Sequence, residues 1–241
     1  MTPLVFVHGF MGGSAQWNLQ KPLEQGRELI CLDLPGFGHN AGMQPIDRIA
    51  SFAAWALDHL KTRGVERFDL LGHSMGGMIV QEMIRQAPER VNRLVLYATG
   101  ARGVLPGRFE TIETSIRRAR QDGAEATARR ISATWFLKRE ASEHYKHCSM
   151  VAGLAGLDAI LAGLAAMRDW TGEAWLPNIA AKTLIIWGDQ DRTYNWPQIE
   201  RLWRDIPQSN LAVLPSCAHA VHAEQPAIFN SLLADFLTQS A

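Results

Sequence analysis

Cysteine is scarce and scattered in this chain. Its 241 residues hold three, Cys31, Cys148 and Cys217, with no C-x-x-C pair among them. An odd, dispersed set argues against a disulfide framework and against a thiolate metal site. H-E-x-x-H and Cys/His clusters are missing too, so no metal is expected. Gly36 and Gly38 begin a G-x-G-x-x-G pattern, but position 41 is alanine and no helix opens there, so the sequence gives no support for a dinucleotide or any other cofactor. Excess charge is also lacking. Lys+Arg and Asp+Glu number 24 each, and no basic tract argues for nucleic acid. Arg117-Arg118 with Arg120, and Arg129-Arg130, fall in helix-like segments and read as solvated faces. No apolar run approaches a membrane span. Met1-Thr2-Pro3 passes straight into a strand pattern without the charged and apolar regions of a secretory leader. The expectation is a cytoplasmic protein whose partner is a small-molecule substrate, with no nucleic acid and no membrane. The sequence leaves the oligomeric state open.

Apolar residues make up 47% of the chain, enough for one large core with an inserted subdomain. Six short apolar runs read as strands: Leu4 to Val7, Leu29 to Leu32, Phe68 to Leu71, Leu94 to Tyr97, Leu184 to Trp187 and Leu211 to Leu214. Most are continuously apolar, which suits parallel strands covered on both faces. Cys31 sits in one of them and reads as a small core residue. Ile49, Phe52, Ala53, Ala56, Leu57 and Leu60 follow a helical stripe that ends before Gly64, and Ile228, Leu232 and Phe236 form another after Pro226. Alternating strands and helices predict an α/β fold, a doubly wound, mostly parallel sheet of about six strands. The alternation stops over 101–178, where Arg108 to Gln121, Ala124 to Leu137, Ser142 to Leu154 and Leu157 to Arg168 read as helices. This block is too long for a plain connection. It reads as a helical cap over the carboxyl ends of the strands, with 1–100 and 179–241 forming the core.

The most informative motif is Gly72-His73-Ser74-Met75-Gly76, set between the strand from Phe68 and a helix-like run from Met78. Strand, tight turn and helix with serine at the apex hold a hydroxyl out of the sheet, with helix N–H groups aimed at it. The flanking glycines leave room for neighbouring backbone.

Five ordered blocks resemble the α/β-hydrolase superfamily, in its serine-nucleophile, esterase- and lactonase-like branch. They are His8-Gly9-Phe10 with Gly12-Gly13 and Trp17, Asp33-Leu34-Pro35-Gly36-Phe37-Gly38-His39, the Ser74 turn, Trp187-Gly188-Asp189-Gln190-Asp191, and Ala218-His219 followed by Glu224-Gln225-Pro226. Members usually carry two further strands before the His-Gly loop. Here that loop begins at residue 8, so the expected sheet has six parallel strands with 29–32 at one edge. The resemblance implies a triad in the chain order Ser74, Asp191, His219. Asp191 is favoured over Asp189 by its spacing from Gly188, and Asp189 reads as a loop residue capping backbone N–H groups. His219 is favoured over His222 by its place after the last strand and its spacing to Glu224. His8, His39 and His73 fall in structural positions of the blocks, and His59, His144 and His147 lie on helix-like segments. The resemblance also implies an oxyanion hole from the backbone N–H groups of Phe10 and Met75.

Those residues predict an enzyme that cleaves a carboxylic ester through an acyl-enzyme. Ser74 argues against the dehalogenases and epoxide hydrolases of this fold, which use aspartate. Enol-lactone hydrolysis, carbon–carbon bond hydrolysis and a lyase reaction stay open. The carbon–carbon hydrolases often have asparagine before the serine and tryptophan soon after the histidine, where this chain has His73 and Ala220-Val221-His222. Non-catalytic binding is a further alternative. In the cap, Trp135, Phe136, Met150, Leu154, Leu157, Met167 and Trp170 are candidates to line the substrate pocket or to pack between helices. Arg102 is a candidate to meet a carboxylate, and Cys217 to line the pocket or pack.

Overall fold

The computed structural model describes residues 2–238. The outermost positions of the expected core, Met1 and 239–241, lie outside them. Six strands, β1 (Leu4–Val7), β2 (Leu29–Cys31), β3 (Phe68–His73), β4 (Val91–Tyr97), β5 (Lys182–Gly188) and β6 (Ser209–Leu214), form one sheet in the order β2-β1-β3-β4-β5-β6. Every pairing is parallel, and β2 takes the edge expected of it.

Alternate residues on each strand enter two different apolar layers. Val5, Leu70, Leu94 and Ile185 pack with α1 (Ile49–Thr62), α2 (Met75–Gln86) and α6 (Trp196–Asp205). Leu4, Phe6, Leu71 and Ile186 pack with Trp17 and with Phe229 and Leu233 of α8 (Pro226–Thr238). Covering on both faces is why the central strands read as unbroken apolar runs. The buried residues of α1 are the six that its stripe predicts. In α8 the stripe is displaced by one position. Phe229, Leu233, Phe236 and Leu237 are buried while Ile228 is exposed, because the helix turns its aromatic residues to the sheet.

Between β4 and β5 the chain is helical: α3 (Ile112–Ala133), α4 (Tyr145–Ala152) and α5 (Leu157–Arg168). Two helices were expected over most of α3. They run on end to end, broken at Gly123, whose φ of 79° leaves the helical region. The first begins at Ile112 rather than Arg108, because Thr111 caps it by accepting the Thr114 N–H at 3.2 Å. Arg108 therefore lies on the preceding loop. A short helix, α7 (Val221–Glu224), completes the set. Among the described residues no single helix is long and apolar enough to cross a membrane.

The loops after β1, β3, β5 and β6 all leave from the carboxyl end of the sheet. They carry, in turn, Phe10, Ser74, Asp191 and His219, so the topology gathers residues far apart in sequence at one edge.

Candidate active site

Ser74 follows β3 with φ 57° and ψ −119°, a conformation that residues other than glycine seldom adopt. The surroundings hold it there. Its N–H donates to the Tyr97 carbonyl at 3.0 Å, and its carbonyl accepts from Thr99 Oγ1 at 2.7 Å. A Cβ on Gly76 would run into the Val7 and His8 carbonyls, and one on Gly72 into the Gly76 carbonyl. The turn can pass so close to β1 and α2 only with glycine at both places.

Asp191 and His219 meet directly. His219 Nδ1 donates to Asp191 Oδ2 at 2.8 Å, with both side chains almost fully buried. The other carboxylate oxygen, Oδ1, accepts the Thr193 N–H at 2.7 Å and the Tyr194 N–H at 3.3 Å. The capping expected of Asp189 thus falls to Asp191, and Asp189 is exposed. With Nδ1 donating, Nε2 is left with a lone pair to accept a proton. The His219 carbonyl accepts from the Tyr97 hydroxyl at 2.9 Å and from His73 Nε2 at 3.1 Å. The Tyr194 ring stacks on the imidazole with centroids 5.8 Å apart and planes 14° from parallel. The ring is therefore fixed on its carboxylate side, at its backbone and on one face.

Ser74 and His219 share one pocket with Gly9, Phe10, Gln16, Met78, Arg108, Thr134, Trp135, Met167 and Tyr194. Among the described residues Ser74 Oγ makes no hydrogen bond to the imidazole. The Tyr194 hydroxyl lies beside the Ser74 and Thr99 side chains, and burial raises that phenol to about 12. The loop at Gly9 presses on the serine, since a Cβ there would stand 3.0 Å from Ser74 Cβ. Next to it, the Phe10 N–H takes part in none of the loop hydrogen bonds. Met75 is the first residue of α2, so its N–H has no acceptor within the helix. The two expected oxyanion donors are thus both without an acceptor among the described residues.

The neighbouring histidines are kept neutral. Burial lowers His222 to about 3 and His8 to about 4, and drives His73 well below the ordinary range. His222 Nδ1 lies 3.0 Å from the Tyr97 hydroxyl, away from Asp191. His8 Nε2 accepts the Leu34 N–H at 3.0 Å and ties the loop after β1 to the turn after β2.

The candidates over 101–178 divide. Trp135 and Met167 line the pocket. Phe136 does not; it is fully buried and packs with Cys148, Ala220 and Ala223. Met150 on α4 and Leu154 just past its end are 65% and 50% exposed, and neither lines the pocket. Leu157 packs on the core, and Trp170 is buried with its Nε1 donating to Glu82 at 3.0 Å. Arg102 faces Glu173 at 3.6 Å and is outside the pocket, and Cys217 is buried in the second apolar layer. Sequence reasoning missed Gln16, Arg108, Thr134 and Tyr194. Tyr194, three residues past Asp191, was within reach of motif analysis; Arg108 was absorbed into a helix that starts later.

The model of the alpha/beta hydrolase family matches residues 4–232. The chain belongs to this family. RutD of Agrobacterium fabrum, which carries a carbamate hydrolase name, is 27% identical over 241 residues, covering 97% of this chain and 92% of its own. The 2-hydroxy-6-oxo-6-phenylhexa-2,4-dienoate hydrolase of Comamonas testosteroni is 26% identical over 260 residues, covering 98% and 87%. Among solved structures, the esterase of Exiguobacterium antarcticum superposes with a TM-score of 0.90 at 22% identity, covering 99% of this chain and 92% of that one. The enol-lactonase of Burkholderia xenovorans LB400 gives 0.89 at 21%, with the same coverage. These two share the fold. Family and relatives together make the protein a hydrolase of the α/β fold.

Proposed function

We propose that the protein is a serine hydrolase that cleaves a carboxylic ester of a small or medium substrate through an acyl-enzyme. The observation that carries this is the 2.8 Å bond from His219 Nδ1 to Asp191 Oδ2 in the pocket where Ser74 stands at its strained turn. In this reading His219 Nε2 takes the proton of Ser74 as Oγ attacks the ester carbonyl. Negative charge on the carbonyl oxygen is met by the N–H groups of Phe10 and Met75. The intermediate collapses to an acyl-serine, and His219 hands its proton to the departing alcohol. Water, deprotonated by the same imidazole, then attacks the acyl carbon, and Ser74 leaves with the proton. Asp191 stabilises the imidazolium formed at each attack. Residues 101–178 serve as the cap, which contributes Ile131, Thr134, Trp135 and Met167 to the pocket wall.

A fluorophosphonate probe tests the nucleophile. It should label the folded protein at Ser74, and Ser74→Ala should remove the label. A folded protein that resists labelling would favour a binding module. The names of the relatives support a second reading, hydrolysis of a carbon–carbon bond or an enol lactone by the same three residues. A panel of p-nitrophenyl esters of increasing length, run beside lactones and a vinylogous diketone, separates the reactions. Turnover of the esters alone supports esterase chemistry, and preference for the diketone overturns it.

A further inference from the structure

Arg108 stands on the pocket wall, where the charge of Glu110 reaches it without a hydrogen bond. It is the one Lys or Arg among the described residues that line the Ser74 pocket, and no Asp or Glu lines that pocket beside it. The carboxylate closest in sequence, Glu110, is already engaged: Ser115 and Arg130 bond one oxygen at 2.6 and 2.7 Å, and Arg118 bonds the other at 3.0 Å. Arg108 Nε is buried without a hydrogen-bond partner. The guanidinium lies over the Phe109 ring, 5.0 Å from its centroid, so an apolar face covers one side of it. Burial lowers its pKa from the ordinary arginine value. A half-buried guanidinium whose Nε has no partner and whose nearest acid is bonded elsewhere is costly, and a ligand anion would relieve that cost.

We propose that Arg108 anchors a carboxylate carried by the substrate, placed away from the bond that Ser74 attacks. The inference rests on the serine-hydrolase reading of this pocket and narrows its substrates to esters bearing a free carboxylate. A carboxylate is favoured over a phosphate because the wall offers a single cation, which matches one negative charge, and the guanidinium fork suits two carboxylate oxygens. Arg108 is a binding residue here and takes no part in proton transfer.

The test compares monomethyl adipate with dimethyl adipate, which differ in one free carboxylate. Calorimetry on the Ser74→Ala protein reads binding without turnover. The half-ester should bind about tenfold more tightly, and adding Arg108→Gln should bring the ratio of the two affinities close to one. Arg108→Lys, which keeps the charge and loses the fork, should retain part of the preference, and thermal melts show that each variant is folded. Equal affinity for the two esters overturns the proposal, as does a preference that survives Arg108→Gln or no binding of either at millimolar concentration. Inorganic phosphate bound more tightly than the half-ester overturns the carboxylate assignment. Turnover by the Ser74 protein is scored separately. A half-ester that binds through Arg108 and is never cleaved counts against the esterase reading and for the anchor, so the two fail in different ways.

Discussion

The Glu224 carboxylate accepts the Leu137 N–H at 2.6 Å, across 87 residues of chain. Its second oxygen accepts the Ala218 N–H, also at 2.6 Å, one residue before His219. Nearby, the Ala220 N–H donates to the Trp135 carbonyl at 2.8 Å, and Arg192 NH1 donates to the Phe136 carbonyl at 3.1 Å. The residues after α3 are thus fastened to the loops that carry His219 and Asp191. Glu224→Ala strips two part-buried N–H groups of a charged acceptor, a loss of about 2–4 kcal/mol. For a chain of this size the melting temperature should fall by roughly 5–10 °C, with kcat/KM falling as well because the imidazole loop loosens. A calorimetric melt within a degree of wild type would show that the contact carries no weight.

Tyr194 supplies two separable things, a ring against His219 and a hydroxyl beside Ser74. Tyr194→Phe keeps the ring and removes the hydroxyl from beside the serine. The fluorophosphonate labelling rate should hold or rise by about two- to tenfold, the worth of one ordinary hydrogen bond. A tenfold drop would instead assign the phenol to the transition state. Tyr194→Ala removes a buried aromatic and should cost about 3–5 kcal/mol in urea unfolding.

Asp191→Asn should cut kcat on p-nitrophenyl acetate by about 10²–10⁴ while leaving the circular dichroism spectrum intact, because the amide no longer favours the tautomer that leaves Nε2 free. Asp189→Asn, changed at an exposed carboxylate, should alter kcat by less than about twofold. Comparable losses in the two variants would return the assignment to an open question.

Buried neutral histidines make the fold sensitive to acid. His222 and His8 drop from 6.5 in the open chain to about 3 and about 4 in the folded one. Between those values the unfolded chain binds protons that the native state refuses, so this stability is full above pH 6.5 and drains away as pH falls towards 4. Each group accounts for on the order of 3 kcal/mol down to pH 4. Urea unfolding at pH 7.5, 6, 5 and 4 measures the slope. His222→Gln should make it shallower, and an unchanged slope would remove His222 from the account.

The sheet was legible because its strands are apolar on both faces, the Ser74 and Asp191 blocks because each sets its residue beside glycine whose Cβ position is occupied by backbone, and the His219 block by its place after the last strand and its spacing to Glu224. The helical segment was less so. Met150 and Leu154 look like pocket residues by composition, yet both are exposed, one on α4 and one just past it, and nothing in a local apolar pattern tells which face meets a cleft formed by distant loops. Arg108 was hidden for a related reason. The Thr111 cap that starts α3 three residues later is a weak local signal beside a long helical pattern, and a guanidinium Nε without a hydrogen-bond partner is visible only in three dimensions. The displaced stripe on α8 shows the same limit: Ile228 and Phe229 are adjacent and both apolar, and only the sheet decides which is buried.

Gly163 on α5 is backed against Phe10. A Cβ there would stand 3.0 Å from Phe10 Cε2 and 3.2 Å from Phe37 Cζ. Adding even one methyl group to that helix would push on the residue whose N–H is proposed to receive the developing charge. In the proposed reading, a change at Gly163 that reshapes α5 for a different substrate is also felt at Phe10, so at this position selectivity and speed would change together.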